Sequence, residues 1–142
     1  MRQAYAAIAL VTLTIVLHST GITALIQWVK AHLPTQDGGR PSRVGSTVLM
    51  VRLTGLMVCI HILEILLWAM LYRWKCFATW EAAFYFSTGT YSTVGTGEVM
   101  LQQPWRQLGP IESLTGVLMC ALSASFLFAV VTRLVEAVED QK

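Results

Sequence analysis

Charge is scarce in this chain: of its 142 residues only 13% are charged, against 55% that are hydrophobic. That shortage excludes a soluble monomer, which needs polar groups enough to face water on every side. The net charge of +2, scattered along the chain, excludes a nucleic-acid surface, and the ten Lys and Arg residues read instead as markers of membrane edges. The three cysteines have no metal-ligand spacing. Cys59 and Cys120 fall inside apolar runs and read as small packing residues, while Cys76 at the end of a run reads as a free thiol or a cross-subunit partner. No internal repeat, low-complexity tract or helix with arginine at every third position occurs, which argues against a voltage sensor of the usual kind.

What is present is long apolar sequence, with a mean hydropathy of +0.59. Segments 4–29, 47–72 and 110–135 are each long enough to cross about 30 Å of hydrocarbon at about 1.5 Å per residue. The expected fold class is therefore an all-α membrane protein with three transmembrane helices. Residues 30–46, with Pro34, Gly38, Gly39 and Pro41, read as a polar loop, and 136–142 as a short tail, which leaves no room for a soluble domain. Arg2 before an apolar run ending near Ser19, Thr20 and Gly21 imitates a secretory signal. Cleavage there would turn the segment between the second and third spans to the cytoplasmic face. With the N-terminus outside, Lys30, Arg40, Arg43, Arg52, Arg133 and Lys142 lie inside, and Arg2, Arg73, Lys75 and Arg106 outside. Six against four favours that orientation, with the 30–46 loop and the tail cytoplasmic. Trp105 and Arg106, with Trp74 and Lys75, fit anchors at the outer boundary.

Between the second and third spans, residues 79–90 can form a short helix, with Thr79 as N-cap and Glu81 in its positive first turn. At about 18 Å it is too short to cross, so it must re-enter. Irregular backbone at that depth has to be buried in protein or line a water-filled cavity. Ser92-Thr93-Val94-Gly95-Thr96-Gly97-Glu98 follows. Two glycines one residue apart permit backbone angles that let successive carbonyls face one axis. Carbonyls of Thr93, Val94, Gly95 and Thr96, ending at Gly97, would replace the hydration shell of a monovalent cation, with Glu98 raising cation concentration at the mouth. The competing readings are a dinucleotide fingerprint, which needs a third glycine, a phosphate loop, which needs Gly-Lys-Ser/Thr, and a plain turn between membrane helices.

The run Ala83-Phe84-Tyr85-Phe86-Ser87, then Thr90, then the Thr93 to Glu98 motif between two apolar helices, resembles the pore module of tetrameric potassium channels over residues 47–135. In style it is similar to the small bacterial two-helix pore proteins, here with an additional N-terminal helix at 1–29. The resemblance implies a homotetramer, since each chain brings one pore loop and three identical subunits complete the ring. It also implies a multi-pass protein of the bacterial inner membrane, passive conduction of K+ and possible conduction of Na+, and neither catalysis nor an organic cofactor. Potassium channels usually carry Tyr or Phe where Thr96 stands, a ring that props the filter from behind. Glu98 replaces the usual Asp, and Gly89 occupies a position that some relatives fill with a supporting side chain. Relatives without the aromatic residue include nonselective cation channels. Gly116 lies about where the family often hinges its inner helix; a small residue for close helix packing is the competing account. Val117, Cys120, Ala124 and Phe128 follow on one face as the expected cavity lining, with Phe128 as a hydrophobic constriction, or as a packing face.

His61 and Glu64 share a face of the second span, and a carboxylate near mid-span costs roughly 2.5–3.5 kcal/mol on insertion scales, so it needs a partner. One reading sets Glu64 behind the filter, bonded to the short helix near Ser87 or Gly89; another pairs His61 with His18. Proton sensing and a shared metal are the further alternatives. Glu112, near the outer end of the third span, reads as solvated, a structural or mouth residue. Four functions stay open: a potassium or potassium-permeable cation channel, a nonselective monovalent cation channel, a nonconducting regulatory subunit with a pore-like scaffold, and a membrane metalloenzyme using His18, His61 and Glu64.

Overall fold

The computed structural model describes residues 2–32, 43–95, 97 and 100–139. Four helices, α1 (Arg2–His32), α2 (Arg43–Lys75), α3 (Trp80–Tyr91) and α4 (Leu108–Glu139), follow in order, with a 3-10 turn at Trp105–Gln107 before the last. No strand occurs among the described residues. Helices α1, α2 and α4 are each long and apolar enough to cross a membrane. All three overrun the expected apolar spans by a few residues. Helix continues into the polar flanks because backbone hydrogen bonding does not end where hydrocarbon does. Lys30 and Ser46, expected in the loop, thus lie on α1 and α2, and 33–42 fall outside the described residues. Helix α4 starts before Pro110, which sits in its first turn, where the missing N–H costs no hydrogen bond.

The short helix α3 is wedged between α2 and α4, and α1 covers the other side of both long helices. Thr79 caps α3: it is extended (φ −123°, ψ 153°) and its hydroxyl accepts the Ala82 N–H at 3.2 Å. Packing falls into three levels. At one end Ala7 and Leu10 of α1 meet Trp68 and Tyr72 of α2, Ala83 and Phe86 of α3, and Leu101 and Leu108. At the other end Leu25, Val29, Leu53, Met57 and Val130 join only the three long helices. Ile65, Tyr91 and Met119 lie at the middle level, where α3 ends. Phe86 stands edge-on to Tyr72 with ring centroids 5.1 Å apart, a favoured aromatic geometry.

Two glycines mark close approaches. A methyl group at Gly21 would come within 2.6 Å of Ile60 Cδ1, so α1 and α2 touch there. At Gly116 it would overlap the Tyr91 carbonyl oxygen, so α4 runs directly against the end of α3. Small residues at such crossings let helix backbones approach in a membrane.

Candidate functional site

The C-terminal end of α3 is where the chain leaves regular structure. Ser92 N–H donates to the Thr88 carbonyl at 3.1 Å and Thr93 N–H to the Thr90 carbonyl at 3.0 Å. Gly95 N–H then turns back onto the Gly89 carbonyl at 2.9 Å. Positive φ angles recur at alternate residues: 62° at Thr93, 77° at Gly95 and 47° at Gly97. Glycine adopts this region freely, whereas a β-branched threonine is strained by about 1–3 kcal/mol. Strain of that size persists only where neighbours hold the backbone. Val94 is 84% exposed on the single chain. Thr96 and Glu98 lie outside the described residues.

Two buried carboxylates hold α3 from behind, and their roles differ from those expected. Glu64 does not reach Ser87 or Gly89; its Oε2 accepts the Tyr91 hydroxyl, and its Oε1 lies 2.8 Å from His18 Nδ1. Glu112 is the residue that binds Ser87. Its Oε1 is 2.5 Å from Ser87 Oγ and its Oε2 accepts the Tyr72 hydroxyl at 2.7 Å. The expectation of a solvated Glu112 is therefore corrected: the side chain is fully buried. Leu101 and Leu108 belong to the apolar layer at that end, so nearness to the end of the span does not mean nearness to water. Ser87 also reaches the Ile65 carbonyl at 2.9 Å, which makes its one hydroxyl a joint between α2, α3 and α4.

His61 and His18 do not bond directly; their ring centroids are 5.5 Å apart. His61 instead bridges the Tyr91 hydroxyl (2.9 Å) and Ser123 Oγ (3.0 Å), and Ser123 Oγ is 3.5 Å from His18 Nε2. Glu64, His18 and Ser123 are buried, so the polar groups of four helices meet away from water. Buried polar groups are stable only when so paired.

Other anticipated residues fall as follows. The Gly89 carbonyl accepts Gly95 N–H, and the buried Thr90 offers its carbonyl to Ser113 Oγ at 2.8 Å. Val117, Cys120, Ala124 and Phe128 all lie exposed on the single chain, as does Cys59. Neither Cys59 nor Cys120 is thus a packing residue within the chain, as the sequence led one to expect; lipid or another subunit is what they can meet. Cys76, just beyond α2, is half-buried, and burial pushes its thiol pKa up. Sequence reasoning missed Tyr91, Tyr72 and Ser113. Tyr91 carried a signal, since a tyrosine ending a short helix just ahead of the Thr93 motif has its hydroxyl placed to reach a neighbouring span.

A family model described as an ion channel matches residues 45–133, which cover α2, α3, the segment after it and most of α4. No curated protein and no solved structure matches the chain. Helix α1 lies wholly outside the matched stretch. The match takes in well over half of the sequence and contains the buttressed helix end and its strained threonine, so this chain belongs to the ion channel family.

Proposed function

We propose that four copies of the chain surround an axis and conduct potassium, or potassium together with other monovalent cations, through the segment Thr93-Val94-Gly95-Thr96-Gly97. The alternating positive φ at Thr93, Gly95 and Gly97, directly after α3, carries this reading. Alternation of backbone handedness turns successive peptides to the same side, and a carbonyl set presented that way can stand in for water around a cation. The helix end points its partial negative charge at the same place. A channel family implies oligomeric assembly in a membrane, and one such segment per chain favours fourfold closure. The exposed apolar faces of α4, among them Leu114, Leu118 and Leu122, suit contact with neighbours or lipid. Val117, Cys120, Ala124 and Phe128 would then line the cavity below the filter, and Glu98 would sit at the mouth.

The test is reconstitution of the full chain in liposomes or bilayers and reversal potentials in potassium and sodium gradients. Cation-selective current is expected, and no current in either gradient would leave the nonconducting scaffold as the reading. Thr96→Tyr should raise the potassium-to-sodium permeability ratio, because a ring there can prop the outer carbonyls against Tyr85 and Phe86. Strong wild-type potassium selectivity unchanged by that substitution would show that the small Thr96 does not leave the outer carbonyls under-supported.

A further inference from the structure

We propose that His18, His61 and Glu64 form a binding site for a divalent transition metal of the zinc type, seated between α1 and α2. One ligand atom from each residue lies within 4.8 Å of the other two. Nitrogen and oxygen ligands at about 2.0–2.2 Å in a tetrahedron stand about 3.3 Å from one another. His18 Nδ1 is 2.8 Å from Glu64 Oε1, and His61 Nδ1 is 3.4 Å from Glu64 Oε2. Both separations are close to that tetrahedral edge. Glu64 and His18 are fully buried, while the His61 side chain keeps 18% exposure on the single chain.

The ring orientations supply a second, independent observation. Both Nδ1 atoms face the carboxylate, and both Nε2 atoms turn to Ser123 Oγ on α4, at 3.5 Å from His18 and 3.0 Å from His61. A metal-bound imidazole donates its other N–H to an acceptor that fixes ring and tautomer. A serine oxygen has two lone pairs and can accept from both rings. The Tyr91 hydroxyl, 2.9 Å from His61 Nδ1 and bonded to Glu64, lies beside the three ligands.

The carboxylate faces this cluster on both sides: Glu64 Oε2 accepts the Tyr91 hydroxyl, and its Oε1 lies against His18 Nδ1. Among the described residues, the basic groups within ion-pair range of Glu64 are these two imidazoles. A buried carboxylate so placed is stabilised by taking up a cation. Occupancy draws Glu64 and His61 from Tyr91, the last residue of α3. The site stands on this cluster alone, whether or not the chain conducts.

The experiment uses the full chain in detergent micelles, stripped with chelator and then titrated with Zn2+ by equilibrium dialysis and elemental analysis, with X-ray absorption on the loaded wild type. About one zinc per chain at micromolar free metal is expected. His18→Ala and Glu64→Gln should weaken binding by at least about a hundredfold, and Ser123→Ala by about ten- to a hundredfold. The absorption spectrum should show nitrogen and oxygen ligands only, with imidazole scattering at about 2.0 Å. No zinc retained, affinity unchanged in His18→Ala, or a sulfur ligand from a cysteine would each overturn the site. If a variant fails to fold, the wild-type stoichiometry and ligand type decide alone.

Discussion

Gly116→Ala tests whether α4 meets the end of α3 as a fixed contact or flexes there as a hinge. The added methyl overlaps the Tyr91 carbonyl oxygen and comes to 3.1 Å from both the Tyr91 carbonyl carbon and its ring Cγ. Two of these three atoms are backbone, which has no rotamer to escape into, so the last turn of α3 must move. Overpacking of this kind costs about 1–3 kcal/mol. Alanine recovers about 1 kcal/mol over glycine in a helix interior, so the net loss should be about 0–2 kcal/mol. Two controls calibrate it. A methyl at Gly55 meets nothing within 4 Å, so Gly55→Ala should gain up to about 1 kcal/mol. At Gly109 it meets Phe86 Cζ at 3.7 Å and Thr90 Cγ2 at 3.9 Å, ordinary contact, so that change should be nearly neutral. The assay is thermal loss of the assembly in detergent, with reversal potentials of the same three variants. Gly116→Ala should be the least stable and the one with altered selectivity, because displacing Tyr91 disturbs Thr93 two residues on. A Gly116→Ala protein as stable as Gly55→Ala, changed only in open time, would refute the contact and restore the hinge.

Substitutions at three further positions probe the supports. Glu112→Ala leaves the buried Tyr72 hydroxyl without its acceptor and should cost about 1–3 kcal/mol in thermal unfolding, while Glu112→Gln keeps an acceptor oxygen and should cost less; equal losses would contradict the bonding at Glu112. Tyr91→Phe keeps the ring but removes the bonds to Glu64 and His61, so it should lower assembly stability by about 1–3 kcal/mol and broaden ion selectivity in bilayer recordings, and wild-type values in both would count against Tyr91 as a brace. Thr93→Gly relieves the positive φ and should raise stability by about 1 kcal/mol while reducing potassium selectivity; a variant that loses stability would show that the threonine is not strained.

The three spans and the short helix were legible in the sequence because each rests on a local rule: apolar length for α1, α2 and α4, and a Thr cap with Glu81 and insufficient length for α3. The carboxylates were legible only as a problem. Composition says that a buried Glu64 needs partners, but three-apart spacing names only His61, whereas its main bonds run to His18 and Tyr91, 46 and 27 residues away. Glu112 misled because distance from the end of a span is a one-dimensional measure of burial, and the segment carrying Leu101 returns to cover that end. Gly116 carried two readings because small side chains serve both flexing and close approach. Only the position of the Tyr91 carbonyl separates them.

Helix α1 lies outside the stretch that matches the family, yet three contacts tie it to the part inside. His18 reaches Glu64, Thr14 Oγ1 accepts the Trp68 indole N–H at 3.0 Å, and Gly21 lies against Ile60. These sit at one-turn steps along one face, since 14, 18 and 21 are four and three apart. They therefore fix rotation and height of α1 together, which a merely greasy anchor would leave free to slide. Trp68 and Glu64 are themselves four apart on α2 and fully buried. Stripped of α1, both would present an unpaired polar atom to hydrocarbon, where such groups cost several kcal/mol. Without α1, Glu64 would keep its bond to Tyr91 but its Oε1 would lose the His18 ring. The histidine on α1 thus completes the pairing of the acid on α2, which makes the additional helix a structural part of the fold and places its influence at Tyr91, the residue that ends α3.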